Sequence, residues 1–259
     1  HTSVMLYVGF NTAQGLCRDE GLRLALQRAF DRNALTIVQL SRHATPANLP
    51  VSPASGLYDS ALAQTLDCSP DQVQAALEEL GWTPGEDGVR GKGRQSLSLD
   101  FVVNSDNAGH VAAAEVLAGH LENVGAAVNL RRLAWEEYLS ALEKGDFDLY
   151  LGETRMTADF DLTPFLAAGG ALNYGGYSDW EARQLLSAFR TASGGARGGC
   201  ARDLYAYLAQ HPPFVPLCFK HWSLLTQWGQ VEGATPTQQN VFYGFDGWKI
   251  ETQALIEPH

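Results

Sequence analysis

Positive charge is scarce in this sequence, and no basic block interrupts it. Lysine and arginine together number 18 against 29 aspartates and glutamates, which gives a formal net charge of −11. Proteins that bind a nucleic-acid backbone or an anionic membrane surface carry basic patches, so this balance argues against both partners. Apolar runs are also short, and none approaches the ~20 residues that a membrane-spanning helix needs. The acidic balance permits a cationic ligand.

Cysteine is sparse as well. The four that occur, Cys17, Cys68, Cys200 and Cys218, stand far apart and form no Cys-x-x-Cys pair. Structural zinc sites use closer spacing, so we expect no metal ligation by these thiols. Buried free thiols are the default interpretation, one long-range disulfide is the alternative, and the compartment is left open. Because no initiator methionine precedes His1, we interpret the chain as a mature or excised fragment.

What is present describes an ordered α/β protein. The sequence is 45% hydrophobic and 18% charged, a composition typical of globular domains. In its middle, strands predicted at 97–103, 126–130 and 147–151 alternate with helices predicted at 108–124 and 135–144. Such a β-α-β-α-β alternation indicates a mainly parallel sheet with helices packed on its faces.

The remaining elements are predicted from the same periodicities and from capping and glycine signals. They are a strand at 4–10, helices at 19–30, 31–40, 69–80, 179–192 and 202–210, a glycine-rich break at 193–199, strands at 214–219 and 223–228, and a final extended piece at 242–250.

The stretch 149–177, which follows the third middle strand, concentrates the polar chemistry. It opens into a turn with Glu153, Arg155, Asp159 and Asp161, and it closes on a glycine-rich segment that contains Tyr174. A loop with charges, aromatic rings and glycines at the carboxyl end of a strand is where an α/β domain usually meets its ligand. The competing interpretation is that the two aspartates only cap the short helix that follows.

Several short motifs, in this order along the chain, together resemble one family. They are Tyr7-Val8-Gly9-Phe10-Asn11-Thr12, Arg23-x-Ala25-Leu26-x-x-Ala29-Phe30-Asp31-Arg32, Ala44-Thr45-Pro46-Ala47-Asn48, Leu80-Gly81-Trp82, Asp87-Gly88-Val89-Arg90, Gly145-Asp146-Phe147-Asp148, Asn173-Tyr174, Gly176-Tyr177-Ser178 and Pro213-x-Val215-Pro216-Leu217. Each motif alone is weak. Their order over nearly the whole chain resembles the extracytoplasmic solute-binding proteins of ABC importers for oligopeptides, dipeptides and nickel.

The resemblance implies a fold and a place in a larger protein. The family has two lobes joined by a hinge, and the chain is similar to the second lobe, a type II periplasmic-binding-protein-like α/β unit with a mixed, mainly parallel sheet flanked by helices. We therefore expect residues 1–245 to form this lobe, with hinge strands near Tyr7 and Tyr243 and with the two ends close together. Residues 246–259 would return toward the first lobe or form a loose tail. The implied partners are an ABC permease and the missing first lobe, in the periplasm or on a Gram-positive cell surface as a lipoprotein.

The resemblance also implies a ligand site on the stretch 149–177. Ala158-Asp159-Phe160 matches an Ala-Asp-Tyr motif whose carboxylate holds the α-ammonium of a peptide. Backbone groups of Arg155 and Thr157 lie where family members pair with an extended peptide. Met156 stands where a tryptophan is common, and Glu153 where some members use an arginine. The implied ligand is a peptide or another small solute, Tyr174 is a further candidate contact, and no cofactor or resident metal is expected.

Two other functions compete with peptide capture. A nickel or metal-chelate carrier would share the fold, although His43, His110, His120, His211 and His221 are scattered along the chain. A hydrolase that uses Asp159 and Asp161 as acid and base is disfavoured, because the sequence contains no nucleophile elbow and no His-x-x-x-His pair. We predict a binding protein, not an enzyme, and assign its tryptophans no role beyond packing.

Overall fold

The computed structural model describes residues 3–38, 40, 43–221, 231–233, 240 and 242–250. Its strands are β1 (Val4–Phe10), β2 (Ala44–Pro46), β3 (Thr83–Pro84), β4 (Arg90–Lys92), β5 (Gln95–Ser96), β6 (Ser98–Asn104), β7 (Ala127–Leu133), β8 (Leu149–Arg155), β9 (Phe214–Lys220), β10 (Val231–Glu232) and β11 (Lys249–Ile250). Its α-helices are α1 (Glu20–Leu26), α2 (Arg32–Val38), α3 (Ser60–Gln64), α4 (Pro70–Glu79), α5 (Ala108–Glu122), α6 (Trp135–Lys144), α7 (Thr163–Leu166), α8 (Trp180–Thr191) and α9 (Ala196–Gln210). Two short 3-10 helices span Leu16–Arg18 and Phe245–Gly247.

Six strands form the main sheet in the order β2-β9-β1-β8-β6-β7. β6 pairs in parallel with β7 and β8, whereas β1 runs antiparallel to β8 and β9, and β2 runs antiparallel to β9. The predicted α/β architecture with a mixed sheet is confirmed. The expectation that the sheet is mainly parallel is wrong, because β1 lies between β8 and β9 and runs against both neighbours.

The parallel part of the sheet is the predicted β-α-β-α-β unit, formed by β6, α5, β7, α6 and β8 in chain order. The side chain of Asn107 caps α5 by accepting a hydrogen bond from the backbone N–H of His110 (3.1 Å). Helix α6 ends at Gly145, whose φ of 68° is a left-handed conformation that glycine adopts with little strain. Local signals therefore determine both helices.

The chain enters and leaves the main sheet at one edge. Met5, near the start of β1, lies opposite Phe219, near the end of β9, and Val4 lies opposite Arg155 at the end of β8. We call this side, where β6, β7, β8 and β9 all end, the carboxyl edge. A lobe inserted into another lobe needs its two connections side by side, as they are here. The lobe boundary at residue 245 stays a prediction.

Each face of the sheet buries its own core. Helices α1, α2, α4 and α5 cover the face that carries Leu6, Phe101 and Leu217. Helices α3, α6, α7, α8 and α9 cover the opposite face, which carries Tyr7 and Tyr150. The second face is the more aromatic of the two, and it lies beneath the residues expected to form the site.

On the second face, two tyrosines lie over two glycines. The pairing of β1 with β8 sets Tyr7 opposite Gly152 and Gly9 opposite Tyr150. A Cβ atom built on Gly9 would lie 2.0 Å from Cε1 of Tyr150, and one built on Gly152 would lie 2.4 Å from Cζ of Tyr7. The two rings meet edge to face at 5.7 Å. Each glycine therefore leaves the space that the tyrosine of the other strand fills.

Buried arginines tie the first helices to β9 and to the segment just before it. Nε of Arg23 donates to the carbonyl of Pro212 (2.9 Å), and Nε of Arg32 donates to the carbonyl of Pro216 (2.8 Å). Both side chains are buried, and burial lowers the pKa of Arg32 to about 10. These two arginines of the family-like motif have a structural role.

Several predicted boundaries are wrong: α1 ends at Leu26 and not at residue 30, β7 continues to Leu133 and not to residue 130, and the boundaries of β8 and α9 differ for tertiary reasons. β8 was expected to end at residue 151, but pairing with β1 continues it to Arg155, so Glu153 lies on the strand. α9 begins at Ala196, inside the predicted glycine-rich break, because Leu204 and Tyr205 bury its apolar face in the second core. The four cysteines are free, so the disulfide alternative is not realised; the expectation of buried thiols holds for Cys17 and Cys218 but is wrong for Cys68 and Cys200, which are half-buried.

The end of the chain is only partly described. The predicted strand at 223–228 lies outside the described residues, as does the tail beyond residue 250. The piece at 242–250 is not continuously extended: it contains the 3-10 helix Phe245–Gly247 before β11, which pairs with β10. The fate of residues 246–259 as a return toward a first lobe stays a prediction.

Candidate functional site

The candidate site is a compact turn beyond the end of β8, which we call the acidic turn (residues 157–163). Its backbone is fixed by Thr157, whose carbonyl accepts from the N–H of Phe160 (3.0 Å) and whose hydroxyl accepts from the N–H of Asp161 (3.0 Å). Phe160 has a φ of 56°, and it is the only non-glycine residue with positive φ in the part of the chain that the structure describes. Such a conformation is costly for a bulky side chain, and it turns the two aspartates to different surroundings.

Asp159 presents its carboxylate to solvent. Its side chain is 55% exposed, and Nη2 of Arg197, from α9, lies 3.6 Å from its Oδ2. A hydrogen bond from Thr157, together with the positive charge of Arg197, lowers the pKa of Asp159. An ionised, accessible carboxylate of this kind accepts a charge-assisted hydrogen bond from a cation.

Asp161 has a different role. Its Oδ1 accepts hydrogen bonds from the N–H (3.0 Å) and the hydroxyl (2.6 Å) of Thr163, the first residue of α7, and Arg190 lies 3.5 Å from its Oδ2. The N-cap residue of α7 is Leu162, so the capping interpretation is wrong for both aspartates, although Asp161 holds the start of the helix through Thr163. The two carboxylates have separate partners, so no shared acid–base pair forms.

Glu153 anchors a charged cluster on the carboxyl edge. Nε2 of His110, from the first turn of α5, lies 2.9 Å from its Oε2, and Lys220 at the end of β9 donates to the same oxygen. Burial opposes ionisation, but the hydrogen bonds from His110 and Lys220 outweigh it and lower the pKa of Glu153 to about 2. The negative charge of Glu153 is therefore already balanced by neighbouring side chains.

Beside Glu153 a cavity of about 120 Å³ opens between α6, the sheet and the glycine-rich segment. We call it the aromatic cavity, because Tyr7, Tyr138, Tyr150, Tyr174 and Trp135 line it together with Asn104, His110, Leu139, Leu142, Leu151, Gly152, Glu153 and Leu172. Trp135 is half-exposed and stacks on Tyr138 with ring centroids 5.9 Å apart. A wall of this kind accepts apolar or aromatic groups.

The structure divides the predicted site residues into three groups. Glu153 and Tyr174 line the aromatic cavity, whereas Thr157 and Asp159 belong to the acidic turn. The ring of Phe160 packs edge to face on Phe219, with centroids 6.0 Å apart.

The third group supports the turn from the strand. Met156 is buried in the second core, and its N–H donates to the carbonyl of Ser3 (2.7 Å). Arg155 is the last residue of β8, opposite Val4. Contacts of these residues with a ligand stay predictions.

Sequence reasoning missed three residues of this region. Arg197 lies in a stretch predicted to be a glycine-rich break, Lys220 one residue past the predicted end of its strand, and Trp135 among tryptophans assigned to packing. For Trp135 a usable signal existed, because a residue that starts a helix after a parallel strand lies at the carboxyl edge.

Three of the histidines contact residues in different parts of the fold. The ring of His120 accepts from the N–H of Asp31 (3.3 Å), His211 pairs with Glu20 (3.0 Å), and the ring of His221 contacts the hydroxyl of Thr45 (2.6 Å). Within the described residues, no three His, Cys, Asp or Glu side chains come together as metal ligands. No helix in this part of the chain has the length and apolar character needed to cross a bilayer.

Comparison with known proteins assigns the family. The model of the bacterial extracellular solute-binding proteins, family 5 Middle, matches residues 1–172. The chain belongs to this family. Family 5 consists of extracellular solute-binding proteins rather than enzymes, which removes the hydrolase interpretation.

Family 5 relatives match the chain over part of their length. The oligopeptide-binding protein AppA of Bacillus subtilis is 23% identical over 252 residues, which cover 94% of this chain and 46% of AppA. The periplasmic murein peptide-binding protein MppA of Escherichia coli is 24% identical over 150 residues, or 55% of this chain and 26% of MppA. The chain spans about half the length of AppA.

Solved structures confirm the fold of the lobe. AppA in complex with a nonapeptide superposes with a TM-score of 0.77 at 20% identity, covering 96% of this chain and 51% of AppA. NikZ from Campylobacter jejuni in complex with Ni(L-His) superposes with a TM-score of 0.75 at 18% identity, covering 96% of this chain and 52% of NikZ.

Proposed function

We propose that this chain is the second lobe of a two-lobed family 5 protein that captures a peptide or a similar small solute and delivers it to an ABC permease. One observation carries the proposal: the acidic turn and the aromatic cavity lie at the same carboxyl edge where β1 begins and β9 ends. The remaining half of a family-length protein connects at this edge, so it faces these residues across a cleft.

In this proposal Asp159 receives the ammonium group of the solute. Closure of the two lobes shields the pair from water, and the solute then contacts both lobes only in the closed state, which shifts the population toward it. Removing one partner of a shielded charge pair costs ~2–5 kcal/mol. The backbone at Arg155 and Thr157 would pair with an extended peptide, and the aromatic cavity would receive an apolar group beside it.

A metal chelate is the second candidate solute, and the fold match to NikZ with bound Ni(L-His) favours it. The aromatic cavity would then hold the organic part of the chelate, since the described residues supply no three-ligand group. Mass spectrometry of the solute that co-purifies with the full-length protein separates the two candidates. We place the whole protein outside the cytoplasm, in the periplasm or as a lipoprotein on a Gram-positive cell surface.

The test of the site is Asp159→Asn in the full-length protein, with titration calorimetry against the co-purified solute or a tripeptide panel. We expect at least a tenfold loss of affinity, which corresponds to ~1.4 kcal/mol or more. The matched control is Asp161→Asn, which removes an equal charge two residues away but only weakens the hydrogen bonds to Thr163 at the start of α7. Equal affinity of Asp159→Asn and the wild type would remove Asp159 from the site.

A further inference from the structure

The candidate ammonium-binding acid already has a cationic neighbour that is firmly held. Nη2 of Arg197 lies 3.6 Å from Oδ2 of Asp159 and donates a hydrogen bond to the carbonyl of the same residue (3.1 Å). The guanidinium also lies over the ring of Phe189, 4.3 Å from its centroid. A carboxylate, a carbonyl and an aromatic face therefore fix one guanidinium beside the acidic turn.

The pair is open on the side of the acid. Asp159 is 55% exposed, whereas Arg197 is 25% exposed. Behind them lies Tyr205, which is buried and whose hydroxyl has no hydrogen-bond partner among the described residues. Burial raises the pKa of Tyr205, and the charges of Arg197 and Asp159 act on it in opposite directions, so its phenol lies near both. The wall behind the acid thus holds a fixed cation and a spare hydroxyl.

The distance between the guanidinium of Arg197 and the carboxylate of Asp159 determines whether the carboxylate can still bind a ligand. At 3.6 Å the guanidinium is not hydrogen-bonded to Oδ2, so Asp159 keeps the capacity to accept hydrogen bonds from an ammonium group. The charges of the pair nevertheless cancel in sum. One ammonium is accepted through direct contact with the carboxylate, while a second positive group nearby meets the guanidinium and is repelled.

We propose that Arg197 is a specificity-determining residue of the solute site: it restricts the Asp159 subsite to solutes with a single positive charge at their amino terminus. The favoured class is peptides whose first side chain is neutral or acidic, and the rejected class has a lysine or arginine there. This inference rests on the proposed function, because it takes Asp159 as the contact for the ammonium group.

The chain supplies a matched control in its other Arg–Asp pair. Arg190 lies 3.5 Å from Asp161 and is 54% exposed, and it comes from α8, the helix that precedes α9. Arg190→Gln removes the same charge from the same region, but beside the carboxylate that accepts hydrogen bonds from Thr163. Arg197→Lys is the conservative variant, because it keeps the charge and loses the planar stacking.

The experiment is titration of the full-length protein with Ala-Ala-Ala and with Lys-Ala-Ala. We expect the wild type to prefer Ala-Ala-Ala and Arg197→Gln to raise the relative affinity for Lys-Ala-Ala at least ~fivefold. Arg190→Gln and Arg197→Lys should stay within ~twofold of the wild-type ratio. As a readout independent of binding, carbon-13 NMR titration of the 259-residue chain should show a higher pKa of Asp159 in Arg197→Gln but not in Arg190→Gln.

The outcomes separate this inference from the proposed function. If the wild type binds Ala-Ala-Ala and Asp159→Asn weakens it, an unchanged peptide ratio in Arg197→Gln overturns the role of Arg197 and leaves the site intact. An equal change of the peptide ratio in Arg190→Gln also overturns the role of Arg197, because the loss of any positive charge in this region would then explain the result. If neither tripeptide binds the wild type, peptide capture itself is wrong, and the role of Arg197 is wrong with it.

Discussion

A single methyl group added at Gly9 tests the packing on which the aromatic cavity depends. In Gly9→Ala the new Cβ would lie 2.0 Å from Cε1 and 2.2 Å from Cζ of Tyr150, well inside van der Waals contact. Tyr150 lines the aromatic cavity but cannot turn away without losing its contacts, because it is buried and its hydroxyl donates to the carbonyl of Leu172 (3.2 Å). Three rings pack edge to face against it: Tyr7 at 5.7 Å, Phe147 at 5.3 Å and Tyr174 at 5.8 Å.

Overpacking a close-packed core by one methyl group costs ~1–3 kcal/mol of unfolding free energy. We expect the upper end, ~3 kcal/mol, because both the strand pairing and the ring are held, and this lowers Tm by ~6–12 °C in a chain of this size. The control is Gly91→Ala in β4, where the nearest atom to a new Cβ is the carbonyl oxygen of Gln95 at 3.4 Å. That variant should stay within ~0.5 kcal/mol of the parent.

The assay is guanidinium unfolding of the 259-residue chain, followed by tryptophan fluorescence, in a double-mutant cycle with Tyr150→Ala. Tyr150→Ala alone should cost ~3–5 kcal/mol, because it leaves a cavity. In that background Gly9→Ala should cost close to nothing, which gives a coupling energy of ~3 kcal/mol. If Gly9→Ala costs the same in both backgrounds, the clash with the ring is not the source of the effect, and the reasoning is refuted.

Two further predictions concern buried and half-buried charges. Arg32→Met removes the donor that four buried carbonyls share, those of Gln27, Phe30, Leu66 and Pro216. It should lower the free energy of unfolding in urea by ~3 kcal/mol or more, whereas the control Arg18→Met, at an exposed position, should lower it by ~0.5 kcal/mol or less. Equal losses in the two variants would contradict the structural role of Arg32. The pKa of Glu153 is lowered to about 2 from an ordinary value of 4.5, so its ion pairs stabilise the fold above pH 4.5, and this stabilisation is lost as the pH falls toward 2. Glu153→Gln should therefore lower the free energy of unfolding near pH 7 by ~1 kcal/mol, and the difference from the parent should vanish in acid. Thermal melts of both proteins from pH 7 to 2 would measure this difference. A difference that stays the same at every pH would contradict the prediction.

The parallel half of the fold was predictable because its signals are local. The structure places α6 at Trp135–Lys144, the range that helical periodicity and the following glycine predict. The strands on either side of α5 and α6 are apolar runs of ordinary length between such stops. The antiparallel half was not predictable in this way, because β1 pairs with strands that follow it by more than a hundred residues.

One long-range pairing did leave a trace in the sequence. Tyr7-Val8-Gly9 and Tyr150-Leu151-Gly152 are two Tyr-x-Gly units, and antiparallel pairing of β1 with β8 lays each tyrosine over the glycine of the other. Two identical units of this kind specify both direction and register, since a slip of one residue would set the rings on opposite faces. The first unit lies in the family-like motif at residues 7–12, and the second lies in β8.

The candidate site shows where local reasoning stops. Asp159 and Asp161 are the same residue type, two positions apart, and local propensity assigns both to helix capping. What separates them is the left-handed Phe160 between them and the arginines that reach each one from the α8–α9 hairpin. Arg197 was placed in a glycine-rich break because glycines disfavour helices, yet packing of Leu204 and Tyr205 outweighs that cost and starts α9 at Ala196.

A consequence for recognition follows from that geometry. The acidic turn fixes where the carboxylate of Asp159 lies, whereas Arg197 of α9, a helix that packs in the same second core, would set how much of its charge a ligand meets at the proposed site. The position of the carboxylate and the positive charge beside it therefore come from two different elements, which are joined by the hydrogen bond from Arg197 to the carbonyl of Asp159. At the proposed site, a change at Arg197 would alter which cations are accepted while the hydrogen bonds of Thr157 still hold the turn, whereas a change at Thr157 would move both the acid and the carbonyl to which the guanidinium donates. Only the first of these changes keeps the hydrogen bonds of Thr157 within the turn, so we expect the charge selectivity of the proposed site to be adjustable through the helix hairpin rather than through the turn itself.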